Sequence, residues 1–175
     1  TVILNAAREP EIADLANFLC SCGAHISGAD SGEITVCGMK KLHSAEHTVI
    51  PDRIIASTYM AAAAVTGGDV RILDTRAEHI TPVIPVFEQA GCKVDCGENS
   101  VHISAPVRLR SVQTVRTMPY PGFPTDSQAA VMAMLSVAHG TSVMIENIFE
   151  NRFKYADELA RMGAGVTESQ LHAER

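Results

Sequence analysis

Three short stretches, "ANFLCSCGAHI", "IPVFEQAGCKV" and "ADELARMGAGV", follow one pattern. Each has an apolar residue, a glycine four positions later, and Ile or Val three positions after that. The pairs Leu19/Gly23, Phe87/Gly91 and Leu159/Gly163 stand 68 and 72 residues apart. A second set agrees: Ile3-Leu4-Asn5, Ile72-Leu73-Asp74 and Ile145-Glu146-Asn147 recur at intervals of 69 and 73 residues. A chain with a period of about 70 residues is restricted to architectures that assemble equivalent units. The 175 residues hold two complete copies and the beginning of a third.

Each copy opens with a β-rich segment, "TVILN", "VRILD" or "SVMIEN". A helix is predicted next, because Ile12, Leu15, Ala16 and Leu19 lie at i, i+3, i+4 and i+7, as do Val83, Val86, Phe87 and Ala90. The following glycine supplies the left-handed backbone that stops a helix at low steric cost. Hairpins with glycine-bearing turns follow in "AHISGADSGEITV" and "CKVDCGENSVHI". A second helix of small residues then starts from a proline loop, in "IPDRIIASTYMAAAAVTGG" and "FPTDSQAAVMAMLSVAHG". Alanine favours helix and lets a neighbour approach closely, so these two helices are expected inside the fold. The predicted class is α/β, with β-α-β-β-α units packed about shared internal helices.

Composition narrows the function classes. Hydrophobic residues are 46% of the chain and charged residues 19%, as in a globular protein. The net charge is −6 and no basic run occurs, which argues against a nucleic-acid surface. The apolar stretch "YMAAAAV" is too short to cross a bilayer, and "TVILNAAREPEI" lacks a signal-peptide pattern. Cys20, Cys22, Cys37, Cys92 and Cys96 are odd in number, and free thiols in a reducing cytoplasm are expected. There is no Cys-x-x-Cys and no phosphate-loop motif, and no metal or cofactor is expected.

The chemistry is expected in the loops. "PYPGFP" places three prolines and a glycine in six positions directly before Thr125, Asp126 and Ser127. Thr125 or Asp126 can cap the helix that follows. Alternatively, the stiff loop presents the Asp126 carboxylate as a base for a substrate hydroxyl. Asp52 and Arg53 occupy the equivalent loop one unit earlier. Asp52 suits a cap, while Arg53 suits either an anion or a neighbouring carboxylate. Glu9 and Glu11 flank Pro10 at a helix start, where acidic residues favour the positive helix end. Asn151 and Arg152 stand on the loop after the third strand, and Arg is the natural clamp for phosphate or carboxylate.

With "NAAREPEI", "GAHISG", "IPDRI", "YPGFPTD", "ENRF" and "ELARMGA" in this order, the chain resembles the UDP-N-acetylglucosamine 1-carboxyvinyltransferases, a family of enolpyruvyl transferases. The resemblance to enolpyruvylshikimate-phosphate synthases is weaker. It implies an inside-out α/β barrel fold: two lobes, each of three repeated units around inward helices. Residues 1–50 would be the last unit of the catalytic lobe and 51–175 most of the second lobe. The implied activity moves the enolpyruvyl group of phosphoenolpyruvate to the 3-hydroxyl of UDP-N-acetylglucosamine and releases phosphate. It is the first committed step of peptidoglycan synthesis and is cytoplasmic.

By the same resemblance, Asp126 meets the sugar hydroxyl and takes its proton, and Ile148 offers a backbone contact to the nucleotide sugar. Asp52 and Arg53 match the crossing between lobes, Arg152 the matching loop, and Glu9 and Glu11 the interdomain cleft. Tyr120 replaces a histidine of some members. The family's acid-loop cysteine and most of its anion-binding Lys/Arg cluster have no counterpart here. A piece that is inert alone is therefore expected, with uncovered lobe faces open to self-association. A nucleotide-sugar-binding module and a transferase for another nucleotide acceptor are the alternative readings.

Overall fold

The structure, a computed structural model, describes residues 1–168. In chain order, β1 (Val2–Leu4), α1 (Pro10–Ser21), β2 (His25–Ser27), β3 (Glu33–Cys37) and α2 (Arg53–Thr66) come first. There follow β4 (Asp69–Leu73), α3 (Ala77–Ile80), α4 (Ile84–Gln89), β5 (Lys93–Cys96), β6 (Ser100–Ser104) and β7 (Thr114–Arg116). A 3-10 turn at Thr125–Ser127 leads into α5 (Gln128–Ser136), then β8 (Val143–Ile145) and α6 (Lys154–Arg161).

The first two sheets share one plan. Their orders are β1-β3-β2 and β4-β6-β5, antiparallel throughout, with the hairpin's second strand in the middle. In the third set, β8 pairs in parallel with β7. Gly23, Gly91 and Gly163 close α1, α4 and α6 with φ of 99°, 101° and 96°, the left-handed stop that the spacing predicts. Asn5, Asp74 and Asn151 also take positive φ in the loops after β1, β4 and β8, a backbone that these side chains tolerate.

The helix predicted from Val83, Val86, Phe87 and Ala90 is α4, and α3 precedes it as a separate short helix because Pro82 and Pro85 each remove a backbone donor that a continuous helix would use. Val83, Val86, Phe87 and Ala90 still face inward and are buried, as their spacing requires.

The helices of small residues form the interior. Ala56, Met60, Ala61, Ala63 and Ala64 of α2 and Val131, Met134 and Leu135 of α5 are buried, and the two helices pack on one another. They share a core with Ile80, Phe87, Val101 and Ile103. Phe87 is wholly buried, so truncation to alanine is expected to cost about 3–5 kcal/mol. Ala16, Cys22 and Ile34 are buried outside that core cluster, while the apolar residues Val2, Ile3 and Leu4 of β1 and Leu15 and Phe18 of α1 are exposed. Among the described residues, no helix is long and apolar enough to cross a membrane.

Candidate functional site

The beginnings of α1, α2 and α5 converge, and charged groups meet there. Arg53, the first residue of α2, is only 5% exposed although it is an arginine on a loop-to-helix junction. Its Nε donates to Glu11 Oε1 at 2.8 Å, and its Nη2 lies 3.6 Å from Asp126 Oδ2. Its guanidinium stands over the Tyr120 ring, 5.8 Å from the centroid, as cation–π attraction favours. On the other side of Asp126, Arg152 Nη2 is 3.5 Å from Oδ1, and Arg152 covers the Phe149 ring at 5.0 Å. Asp126 thus lies between two guanidinium groups.

The loop before Asp126 is fixed by its own backbone. Met118 N–H donates to Phe123 O at 2.9 Å, Gly122 N–H to Pro119 O at 2.8 Å and Ser127 N–H to Pro124 O at 3.1 Å. A side chain at Gly122 would put its Cβ 2.5 Å from Met118 Cβ, so the turn requires glycine. Ser127 Oγ is 3.0 Å from Ser57 Oγ, both buried, which pins this turn to α2 one helical turn past Arg53. Asp126 itself is 38% exposed and, among the described residues, accepts no hydrogen bond in this structure. Both arginine contacts sit at the outer edge of hydrogen-bond range, so the carboxylate keeps acceptor capacity for a ligand.

The capping expectation holds at one loop and fails at the other. Asp52 Oδ1 accepts from the N–H groups of Ile54 and Ile55 at 2.7 and 3.1 Å, a regular N-cap for α2. Neither Thr125 nor Asp126 caps α5; the N-cap position falls on Ser127, which makes no side-chain cap bond. The 3-10 turn over Thr125–Ser127 places both residues before the N-cap position, and the Thr125 hydroxyl donates to Glu146 Oε2 at 2.8 Å. Glu9 holds the N-cap position of α1 without capping it, and its Oε2 is buried without a partner among the described residues. Ile148 is 36% exposed, and its N–H donates to Glu146 Oε1 at 2.7 Å.

Two residues escaped the sequence reading. Glu146 was noticed only as part of a repeated triplet, yet it accepts from Thr117, Ile148, Phe149, Thr125 and Gln128. Burial works against its charge, and the Ile148 N–H, Thr125 hydroxyl, Phe149 N–H and Thr117 hydroxyl outweigh it, holding the carboxyl below its ordinary value. His79 lies on α3 beside Glu78, its Nδ1 buried and unpartnered among the described residues, and burial pushes the ring's pKa down. Burial likewise raises the Tyr120 hydroxyl, which donates to Glu78 O at 3.3 Å.

His43 and His47 stand four apart, a spacing that can serve a metal on a helix, but here they lie on chain without regular secondary structure. His43 Nδ1 approaches Ser44 O, and His47 Nε2 is 2.9 Å from Asp14. Among the described residues no group of three or more ligating side chains could hold a metal ion. A cavity of about 480 Å³ lies beside α5 and α6 against Met132, Leu135, Phe153 and Ala156, and Asp126 does not line it.

The family model for EPSP synthase (3-phosphoshikimate 1-carboxyvinyltransferase) matches residues 1–174. The chain belongs to this family. It is 49% identical over 166 residues to UDP-N-acetylglucosamine 1-carboxyvinyltransferase 2 of Caldanaerobacter subterraneus subsp. tengcongensis, covering 95% of this chain and 40% of that relative. It is 48% identical over 167 residues to UDP-N-acetylglucosamine 1-carboxyvinyltransferase of Geotalea daltonii, again 95% and 40%. The chain therefore spans about 40% of the length of these relatives. Among solved structures, the enolpyruvyl transferase NikO of Streptomyces tendae aligns with a TM-score of 0.79 at 25% identity, over 91% of this chain and 38% of that one. EPSP synthase of Acinetobacter baumannii aligns at 0.53 and 22% identity over 74% and 31%, which shows the fold alone. The resemblance carried by the sequence motifs is thus confirmed, and the fold is that of enolpyruvyl transferases.

Proposed function

We propose that this chain is part of an enolpyruvyl transferase that moves the enolpyruvyl group of phosphoenolpyruvate to the 3-hydroxyl of UDP-N-acetylglucosamine, releasing phosphate. One observation supports this most: Asp126 projects from a backbone-locked turn, half-open to solvent, with unused acceptor capacity between two arginines. A carboxylate so placed can take the hydroxyl proton as the oxygen attacks. Arg152, 37% exposed, can turn from Asp126 toward an anionic substrate group, whereas buried Arg53 orders the cleft wall through Glu11 and Tyr120. Asp52 holds Arg53 in place by capping α2. The Ile148 carbonyl faces the nucleotide sugar.

In this reading residues 1–50 are the last unit of one lobe and 51–175 most of an inside-out second lobe. A core cluster that begins at Ala56 supports that division. The acid that completes the addition, and most of the cations that neutralise phosphoenolpyruvate, come from the remainder of a longer protein, so these residues alone are inactive. The exposed apolar residues of β1 and α1 are where that remainder packs, and in its absence copies of the chain associate there. The reaction is the cytoplasmic entry to peptidoglycan synthesis.

The test is phosphate release from phosphoenolpyruvate by the full-length protein that contains these residues. Release that depends on UDP-N-acetylglucosamine is the expected result. Release driven only by some other nucleotide acceptor overturns the acceptor assignment, and no release with any acceptor overturns the activity.

A further inference from the structure

We propose that Glu146 is a positioning residue for this reaction, a brace that holds the turn carrying Asp126 and the loop carrying Arg152 in one fixed relation. The inference rests on the reading of Asp126 as the proton acceptor. Asp126 has no hydrogen bond of its own to set its direction among the described residues, so its place is dictated by its neighbours. Those neighbours converge on one carboxylate. Oε2 of Glu146 accepts from Thr125 Oγ1 at 2.8 Å and from Gln128 Nε2 at 2.7 Å, which bracket Asp126 in sequence. Oε1 accepts from the N–H groups of Ile148 and Phe149 at 2.7 and 3.1 Å, at the root of the loop that ends in Arg152. Thr117 Oγ1, just past β7, donates to the same oxygen at 2.9 Å and itself accepts from Asn147 N–H at 2.9 Å.

A carboxylate offers about four lone-pair directions, so these five donors saturate it. No acceptor capacity is left for substrate, and the side chain is a structural node, not a reacting group. The network continues inward: Gln128 is wholly buried, and its Oε1 accepts from the Tyr155 hydroxyl of α6 at 2.8 Å. Glu146 is the shared end of both chemistry-bearing loops. Losing it frees the Asp126 turn from the Arg152 loop while leaving every substrate-facing side chain present.

Chain length at position 146 is what the brace needs, more than charge. A glutamine there spans the same distance, and Gln128 can turn its amide to offer Oε1 to it while Tyr155 accepts from Nε2. An alanine spans nothing.

The experiment compares Glu146→Ala, Glu146→Gln and Asp126→Asn in the full-length protein, assayed at a temperature where each is folded. Glu146→Ala is expected to lower kcat by about 10- to 100-fold, as a displaced reacting group does, with KM changing far less. Glu146→Gln is expected to restore kcat to near the wild-type value, which a proton-transferring glutamate would not allow. Should Glu146→Ala fail to fold, Thr125→Val removes one bond between the turn and the brace and is expected to lower kcat in the same sense. Unchanged kcat in Glu146→Ala, or in Thr125→Val where the alanine variant is unfolded, overturns the brace alone if Asp126→Asn is inactive. Glu146→Gln as impaired as Glu146→Ala also overturns it, in favour of a chemical role. Normal turnover by Asp126→Asn overturns the underlying reading and the brace with it.

Discussion

Arg53 and Glu11 join the first turns of α2 and α1 through one charged hydrogen bond of 2.8 Å, with the arginine buried and the glutamate half-exposed. The bond ties the first sheet and helix to the core that starts in α2, and it fixes the guanidinium where it also meets Asp126 and Tyr120. The planar fork of arginine makes these contacts at once, and a lysine ammonium has no geometry that repeats them.

Arg53→Lys is therefore expected to lose stability despite keeping its charge. The loss is set at about 1.5–3 kcal/mol, the range for hydrogen bonds to charged groups, and is read as a lower urea midpoint. Wild-type stability in Arg53→Lys would show that the buried fork contributes nothing beyond its charge.

Tyr155 sets a limit at alkaline pH. Burial, with a smaller push from the Glu146 carboxylate, raises its hydroxyl from 10 to about 12, with Arg152 acting weakly the other way. Because the folded state holds the proton more tightly than the unfolded one, this contribution is complete below pH 10 and is lost as pH rises through about 12. Tyr155→Phe cannot ionise there. Its stability is expected to be lower than wild type at neutral pH, with the gap narrowing across that interval. Stability curves for the two proteins that stay parallel from pH 10 to 12 would contradict the assignment.

The parts legible in the sequence are those written in local patterns. Leu19/Gly23 and its two counterparts mark helix ends because left-handed backbone selects glycine at each stop. The alanine-rich segment of α2 announces a buried helix because small side chains permit close packing. Asp52 announces a cap, and caps depend on neighbours two and three residues away. Long-range partners left no such mark. The Thr125 hydroxyl donates to Glu146, a residue from the next strand's end, and nothing near either one in sequence reveals the other. Arg53 was expected to meet an anion or a neighbouring carboxylate, but not which one, because Glu11, Tyr120 and Asp126 all come from distant segments. The separate short helix α3 also left no mark, since four residues carry too little apolar periodicity to announce a helix.

The central claim is that Asp126 takes the proton of the acceptor hydroxyl. Its most direct measurement sets turnover against UDP-N-acetylglucosamine binding, by calorimetry, for Asp126→Asn in the full-length protein. The account predicts turnover reduced by about 10²–10⁴-fold, the range for a lost general base, with sugar-nucleotide affinity largely kept. Near-normal turnover by Asp126→Asn would contradict it.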